Sequence, residues 1–158
     1  MEMQYPFTKW VFGNDVKVVP ILVGSLSLHI LKSFKSAMEV FIRDDSTVFL
    51  VSSDFCHWGQ RFGFQPFLKS PGSIHKNIED LDKEGILRVT SNDYQGFLEY
   101  IEETGNTICG QNPILAMLYL LDKVDGIKGE LLSYSQSEQV TNPKSSSVSY
   151  ASIIMTSQ

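Results

Sequence analysis

The feature that most constrains the fold is a strand–helix–strand pattern in the first third of the sequence. The stretch "VKVVPILVG" at residues 16–24 is apolar and β-branched, which predicts a buried strand. Residues 25–42 repeat apolar side chains at three- and four-residue spacing, which predicts an amphipathic helix capped by Ser25 or Ser27. Residues 47–53 predict a second strand. Two strands joined by one helix are typical of a βαβ unit, so we expect parallel pairing with a right-handed crossover.

The remaining two thirds of the sequence predict three more helices and two more strands. Helices are expected to begin at Ser73, near Ser91 and at Pro113. Residues 129–138 and 146–155 alternate between apolar and polar side chains and predict two strands around a polar loop. A loop rich in proline and glycine is expected at residues 63–73. Since no repeat or linker divides residues 1–158, we expect one α/β domain with a mixed sheet and helices on both faces, an α/β/α arrangement.

Composition and charge exclude several functional classes. A chain of 158 residues is long enough for one hydrophobic core. The net charge of −5, with no cluster of basic residues, argues against nucleic-acid binding. No apolar run approaches the ~20 residues of a membrane helix, and the first ten residues lack the pattern of a signal peptide. With two cysteines, a disulfide framework is not expected and a reducing, cytoplasmic location is predicted.

The stretch "VSSDFCHWGQRF" at residues 51–62 carries polar groups directly after the second predicted strand. Ligands of parallel α/β sheets bind beyond the carboxyl ends of strands, which is where Asp54 and His57 are expected. Both groups are costly to bury without partners. A conservative interpretation also stands, in which the aspartate caps a turn and the histidine bonds a backbone carbonyl.

The neighbours of this pair have more ordinary predicted roles. Cys56 and Trp58 are expected to pack in the core. Arg61 is either solvated or available to hold an anion through two hydrogen bonds. His29 and His75 have no companion donor nearby in the sequence, so we expect them at the surface or at the edge of the core.

Cys109 lies in "NTICGQNP", just before a predicted helix. A thiol at a helix N-terminus is exposed to the positive end of the helix dipole, which favours the thiolate form that binds metals. A buried structural thiol is the alternative. Asp54, His57 and Cys109 together form a mixed O/N/S donor set suited to iron, copper or zinc. We therefore expect these three side chains to converge at one end of the sheet, and Cys109 to react faster than Cys56.

Five segments of the sequence resemble, in order, the signature segments of the Memo-like protein family, which is named for the mediator of ErbB2-driven cell motility. They are "VPILVGSLS", "VSSDFCHWGQRF", "IEDLDKEGI", "NTICGQNPI" and "SSSVSYAS". The resemblance runs along nearly the whole chain. It implies a fold similar to the catalytic subunit of class III extradiol dioxygenases, which use non-haem iron.

The resemblance also implies roles for individual residues. Cys109 corresponds to a metal ligand of the family, and Asp54 and His57 line the same pocket. Family members have been linked to iron or copper binding, to redox chemistry and to signalling through phosphotyrosine-bearing receptor tails. Two functions are therefore carried forward: a metal-binding redox protein with a dioxygenase-like pocket, and a non-catalytic module whose pocket, with His57 and Arg61, receives a phosphorylated or acidic peptide.

The resemblance covers the C-terminal half of the family pattern. The start "MEMQYPF" resembles the end of a segment reading His-Ser-x-Glu-x-x-x-Pro-Phe, in which Glu2, Pro6 and Phe7 match. The two family histidines that belong to the N-terminal half have no counterpart in this sequence. We therefore expect weak binding of iron or copper. An incomplete sheet would expose an edge and apolar helix faces, which implies either a fragment of limited stability or association, such as oligomerisation, that covers the gap.

Overall fold

The computed structural model describes residues 2–66 and 73–157 and shows a mixed α/β arrangement. Most of the proline- and glycine-rich loop predicted at residues 63–73 lies outside these described residues. The helices are α1 (Tyr5–Phe12), α2 (Leu28–Ile42), α3 (Ile74–Thr90), α4 (Tyr94–Thr104) and α5 (Gln111–Leu121), and the strands are β1 (His57–Trp58), β2 (Ile127–Gln136) and β3 (Ser147–Ser157). Short 3₁₀ turns lie at Glu2–Gln4 and Gln60–Phe62. No described helix has the length and apolar character needed to cross a bilayer.

The sheet formed by the described strands is antiparallel, with the order β1-β3-β2. The two C-terminal strands form where they were predicted, with Ile127 opposite Ser157 and Gln136 opposite Ser149. On its other side, β3 pairs with β1 through His57 opposite Val148. The segment that contains the predicted site residues is therefore attached to the sheet at an edge strand.

The expected parallel βαβ unit is wrong for this structure. Helix α2 forms, and the Ser27 hydroxyl accepts a hydrogen bond from the Ile30 amide at 3.3 Å, as its capping role requires. Residues 16–24 and 47–53, however, contain no assigned strand. A strand is defined by pairing with a neighbour, and no described strand runs beside either segment. Their composition favours strands, but this preference alone forms no sheet.

The hydrophobic core lies among α3, α4, α5 and the sheet. Helix α3 packs against β2 and β3, α4 packs against α3, and α5 lies between α4 and α2. The main cluster of buried side chains comprises Phe55, Ile86, Val89, Phe97, Tyr100, Ile108, Ile114, Leu115 and Leu118. A second cluster comprises Cys56, Trp58, Ile78 and Val140. Since burial of one large apolar side chain contributes about 1.5–3 kcal/mol, these clusters hold residues 55–58 firmly against α3.

Candidate metal centre

The three side chains predicted to form a site converge in the structure. One potential ligand atom from each of Asp54, His57 and Cys109 lies within 4.8 Å of the others. The Asp54 carboxylate is 3.7 Å from His57 Nε2. The amide of Asp54 donates a hydrogen bond to the sulfur of Cys109 at 3.2 Å. The expected convergence is thus confirmed, whereas the metal-binding and catalytic roles of these residues stay predictions.

The physical cause of this convergence differs from the one expected, because the sheet beside it is antiparallel. Phe55 donates its amide hydrogen to the carbonyl of Ser149 at 2.8 Å, and Ser149 donates to the carbonyl of Cys56 at 2.9 Å. His57 therefore lies in strand β1. Attachment to β3 fixes where the Asp54–His57 segment runs.

Hydrogen bonds of the Ser53 hydroxyl connect two loops and bring Cys109 to this segment. The Ser53 hydroxyl accepts a hydrogen bond from the Gly110 amide at 2.9 Å and donates one to the Asp54 carbonyl at 2.7 Å. A β-carbon on Gly110 would clash with Ser53 and with the carbonyl of Ser52. Glycine is required here because the two loops approach so closely.

A second connection lies on the other side of the site. The Thr107 hydroxyl accepts from the His57 amide at 2.8 Å and donates to the His57 carbonyl at 3.0 Å. The Phe62 ring meets the imidazole edge-to-face, with ring centroids 5.2 Å apart. Thr107 therefore fixes the backbone of His57 to the 106–110 loop, while Phe62 packs against its imidazole.

A buried carboxylate, Asp82 of α3, forms hydrogen bonds with several segments that surround the site. It is fully buried and accepts hydrogen bonds from the Cys56 amide at 3.2 Å, from the Asn106 side chain at 3.0 Å and from the Tyr134 hydroxyl at 2.8 Å. Asn106 also donates to the hydroxyl of Tyr100 at 2.6 Å. One carboxylate therefore links the Asp54–His57 segment, the loop that carries Cys109 and strand β2.

Burial is the main cause of the shifted pKa values of Asp82 and Cys56, which lie close to the site. It raises the pKa of Asp82 above its usual value, although hydrogen bonds from Ser149, Asn106 and Tyr134 oppose the shift. Burial, reinforced by the nearby charge of Asp82, strongly raises the pKa of Cys56. Cys56 is completely buried, as expected, and is kept as a neutral thiol.

The sequence interpretation missed Asp82. A signal was present, because this residue lies four positions after Ile78 and four before Ile86 on the buried side of α3. A carboxylate on an apolar helix stripe indicates a buried hydrogen-bond acceptor.

The donor set satisfies a simple test of fit for a metal ion. His57 Nε2 is shielded from solvent and has no hydrogen-bond partner among the described residues, which is unusual for a buried ring nitrogen. Metal–ligand bonds of about 2.0–2.3 Å place ligand atoms a few ångströms apart, which agrees with the observed grouping. Thiol, imidazole and carboxylate together suit a transition metal better than calcium or magnesium.

The group lies at the surface and not in an enclosed pocket. Cys109 is exposed, and Asp54 and His57 are partly exposed. The remaining predicted residues lie outside the group: Trp58 is fully buried in the core, His29 is exposed and His75 is partly buried. The open side gives solvent and small molecules access to Cys109 and Asp54, whereas His57 Nε2 is shielded from solvent.

Arg61 contacts the ring that packs on His57 but belongs to a different feature. Its guanidinium lies over the Phe62 ring at 4.5 Å, and this ring in turn contacts His57. Arg61 also lines an open pocket of about 320 Å³ with Lys144, Gln60, Ser145 and Ser146. Two cations and two hydroxyl groups around one pocket favour an anionic ligand.

Comparisons with known proteins match almost the entire chain. Residues 1–154 match the model of the family described as Memo-like protein. Protein memo-1 homolog of Caenorhabditis elegans is 37% identical over 162 residues, which cover 98% of this chain and 46% of that protein. Protein MEMO1 of Danio rerio is 38% identical over 158 residues, with coverage of 96% and 53%. Protein MEMO1 of Homo sapiens is 36% identical over 163 residues, with coverage of 99% and 55%. The chain spans about half the length of these relatives.

Proposed function

The chain belongs to the Memo-like protein family, and on this basis we propose that it binds iron or copper through Asp54, His57 and Cys109 as part of a redox protein. The observation that supports the proposal is the grouping of these three donors around an unpartnered imidazole nitrogen. We further propose the fold of the complete family domain as an α/β/α arrangement similar to the class III extradiol dioxygenases. We also propose a cytoplasmic location for this protein, because both of its cysteines are free thiols.

Each of the three side chains has a distinct role in this proposal. Cys109 holds the ion through its sulfur, which the Asp54 amide already faces. His57 supplies its Nε2 as a second ligand, or accepts a proton from a substrate bound nearby. Asp54 orients the imidazole or completes the ligand set. A bound iron or copper ion would supply one-electron redox chemistry and activation of oxygen.

We expect the isolated chain to bind Fe(II) or Cu weakly. The exposed side of the group leaves a bound ion less enclosed than in tight sites, whose ligands are held rigidly around the metal. The loss of one ligand has a large effect on a site with so few donors. The substitution Cys109→Ser is therefore expected to lower the affinity by more than the ~10–100-fold typical of supporting residues around a metal. Anaerobic titration followed by calorimetry or by the absorption of the metal–thiolate bond measures this change.

The matched control is Asp80→Asn, which removes an exposed carboxylate of α3 that pairs with Lys76. This variant should bind the metal as the unmodified chain does, because Asp80 belongs to a separate surface ion pair. Unchanged affinity in Cys109→Ser, or equal losses in both variants, would show that the metal binds elsewhere.

A second candidate function, a module that binds phosphorylated or acidic peptides, is favoured by the Arg61–Lys144 pocket. The fold brings Lys144, which is 83 positions away in the sequence, to the same pocket as Arg61. The Phe62 ring below the guanidinium limits its freedom, which lowers the entropic cost of holding an anion. A phosphate or carboxylate in this pocket would accept hydrogen bonds from both cations.

For this function we expect Arg61→Ala to weaken binding of a phosphotyrosine peptide about tenfold, as the loss of one charge-assisted hydrogen bond implies. Fluorescence anisotropy with a labelled peptide measures the change. Arg43→Ala removes another exposed arginine outside the pocket and serves as the control. Binding that does not depend on the phosphate group, or that falls equally in both variants, would argue against this function.

A further inference from the structure

The Thr107 hydroxyl bonds both polar groups of the His57 backbone. It accepts a hydrogen bond from the His57 amide at 2.8 Å and donates one to the His57 carbonyl at 3.0 Å. These two groups belong to the peptide units on either side of the histidine α-carbon. A hydroxyl that bonds both units restricts both backbone dihedral angles of His57, and these angles set the direction in which the side chain leaves the backbone.

His57 depends on a side chain for these bonds because it lies at the edge of the sheet. Strand β1 pairs with β3 alone among the described strands, with His57 opposite Val148. Val148 accepts from the Ser137 amide and donates to the Ser137 hydroxyl, each at 2.9 Å. Opposite residues of an antiparallel pair exchange both bonds or neither. The polar backbone groups of His57 therefore face away from β3, and Thr107 satisfies them in place of a further strand.

The position of Thr107 is itself fixed by the core. Its neighbours Asn106 and Ile108 are each 3% exposed. The Asn106 side chain donates to the Asp82 carboxylate at 3.0 Å, and Ile108 packs in the main hydrophobic cluster. Since buried residues hold it on both sides, Thr107 offers His57 a bonding partner whose place is fixed.

The imidazole of His57 has little else to orient it. Its Nε2 is shielded from solvent and has no hydrogen-bond partner among the described residues. The ring contacts Phe62 edge-to-face, with centroids 5.2 Å apart. The direction of the imidazole therefore depends on its own backbone and on this one aromatic contact. Thr107 controls the first of these, and it lies two positions before Cys109 in the same loop.

We propose that Thr107 is a positioning residue, which keeps the His57 imidazole shielded and within reach of the Cys109 sulfur. The consequence for metal binding rests on the metal site proposed above, whereas the placement of the imidazole does not require a metal. The hydroxyl proton of Thr107 is used by the His57 carbonyl. Thr107 therefore acts through His57 and is not itself a ligand.

The first test is made without metal, by timed modification with diethylpyrocarbonate, which acylates imidazole nitrogens, and by mass analysis of the peptides. In the unmodified chain His57 should react about tenfold more slowly than the exposed His29. Thr107→Val removes the hydroxyl at nearly constant shape and should raise the rate at His57 about tenfold. Thr107→Ser keeps the hydroxyl and should retain the slow rate.

The second test measures the affinity for Co(II), whose absorption reports the bond to a thiolate. Thr107→Val should lower this affinity by the ~10–100-fold typical of residues that support metal ligands. Thr107→Ser should bind as the unmodified chain does. The matched control is Thr90→Val, because the Thr90 hydroxyl bonds the Ile86 carbonyl of its own helix at 3.0 Å. This variant should leave both the affinity and the rate at His57 unchanged.

The two tests separate this inference from the proposed metal site. If Cys109→Ser binds Co(II) as the unmodified chain does, the metal site is wrong, but the diethylpyrocarbonate rates still decide the role of Thr107. Equal rates at His57 in the unmodified chain and in Thr107→Val would overturn the inference, as would a Thr107→Ser variant that reacts as fast as Thr107→Val. An equal rise at the partly buried His75 of α3 would also overturn it, because Thr107 would then support the whole fold.

Discussion

Replacing Asp82 with alanine is expected to lower the free energy of unfolding by about 3 kcal/mol, measured by urea denaturation. The carboxylate accepts hydrogen bonds from Cys56, Asn106 and Tyr134, and alanine leaves all three donors without a partner. A buried donor that loses its partner costs about 1–3 kcal/mol. Removal of a buried carboxylate relieves part of this cost, because the charged group no longer has to be desolvated. The loss is large compared with the 5–15 kcal/mol typical of a domain.

The control for this substitution lies on the same helix. Asp80→Ala changes the same residue type two positions away, where the carboxylate is exposed and pairs with Lys76. Surface substitutions of this kind change stability little. A loss in Asp82→Ala no larger than in Asp80→Ala would show that the three donors find other partners, and that Asp82 does not hold the site together.

The stability contributed by Asp82 should also depend on pH. Its pKa is raised in the folded protein, so the folded state binds the proton more tightly than the unfolded chain does. The contribution of the protonated form is therefore complete below about pH 4, the usual range for aspartate, and is lost as pH rises through the raised value. In Asp82→Asn this dependence should disappear. A stability difference between the unmodified chain and Asp82→Asn that does not change with pH would contradict the assignment.

Local signals in the sequence predicted α2, α3, α4 and α5 well, whereas α1 was not predicted. The helix expected near Ser91 forms as α4 and ends at Gly105, whose positive φ of 61° fits the left-handed position that glycine favours. Asp93 caps its start by accepting from the Gly96 amide at 2.8 Å. Capping residues and apolar periodicity act within a few positions of each other, so they are visible without knowledge of the remaining fold.

Pairing between segments that are distant in the sequence was harder to predict. Residues 16–24 have the composition of a strand, but whether they form one depends on pairing with a neighbouring strand, which local composition does not reveal. The site shows both outcomes. The motif residues Asp54, His57 and Cys109 were identified from the sequence. The hydrogen bond between Ser53 and Gly110, however, spans 57 positions, and the bond between Asp82 and Cys56 spans 26 positions. Such contacts follow from the assembled fold and not from any local pattern.

Cys109 is expected to react with iodoacetamide at least ~100-fold faster than Cys56 at neutral pH. The two thiols have opposite environments. Cys109 is exposed beside the amide of Asp54, whereas Cys56 is completely buried in the cluster with Trp58. Burial strongly raises the pKa of Cys56, so the thiolate that attacks the reagent is scarcely formed there. Cys56 should therefore be labelled only when the surrounding structure opens.

Mass analysis of peptides after timed alkylation measures both rates in one sample. In concentrated urea the two rates should converge, which controls for any intrinsic difference between the flanking sequences. Added Fe(II) under anaerobic conditions should slow labelling of Cys109 and leave Cys56 unchanged, because a metal-bound sulfur is a poor nucleophile toward the reagent. Faster labelling of Cys56 would show that this part of the core opens readily. If a saturating concentration of Fe(II) does not change the labelling rate of Cys109, its sulfur is not a metal ligand, whatever affinity the titration gives.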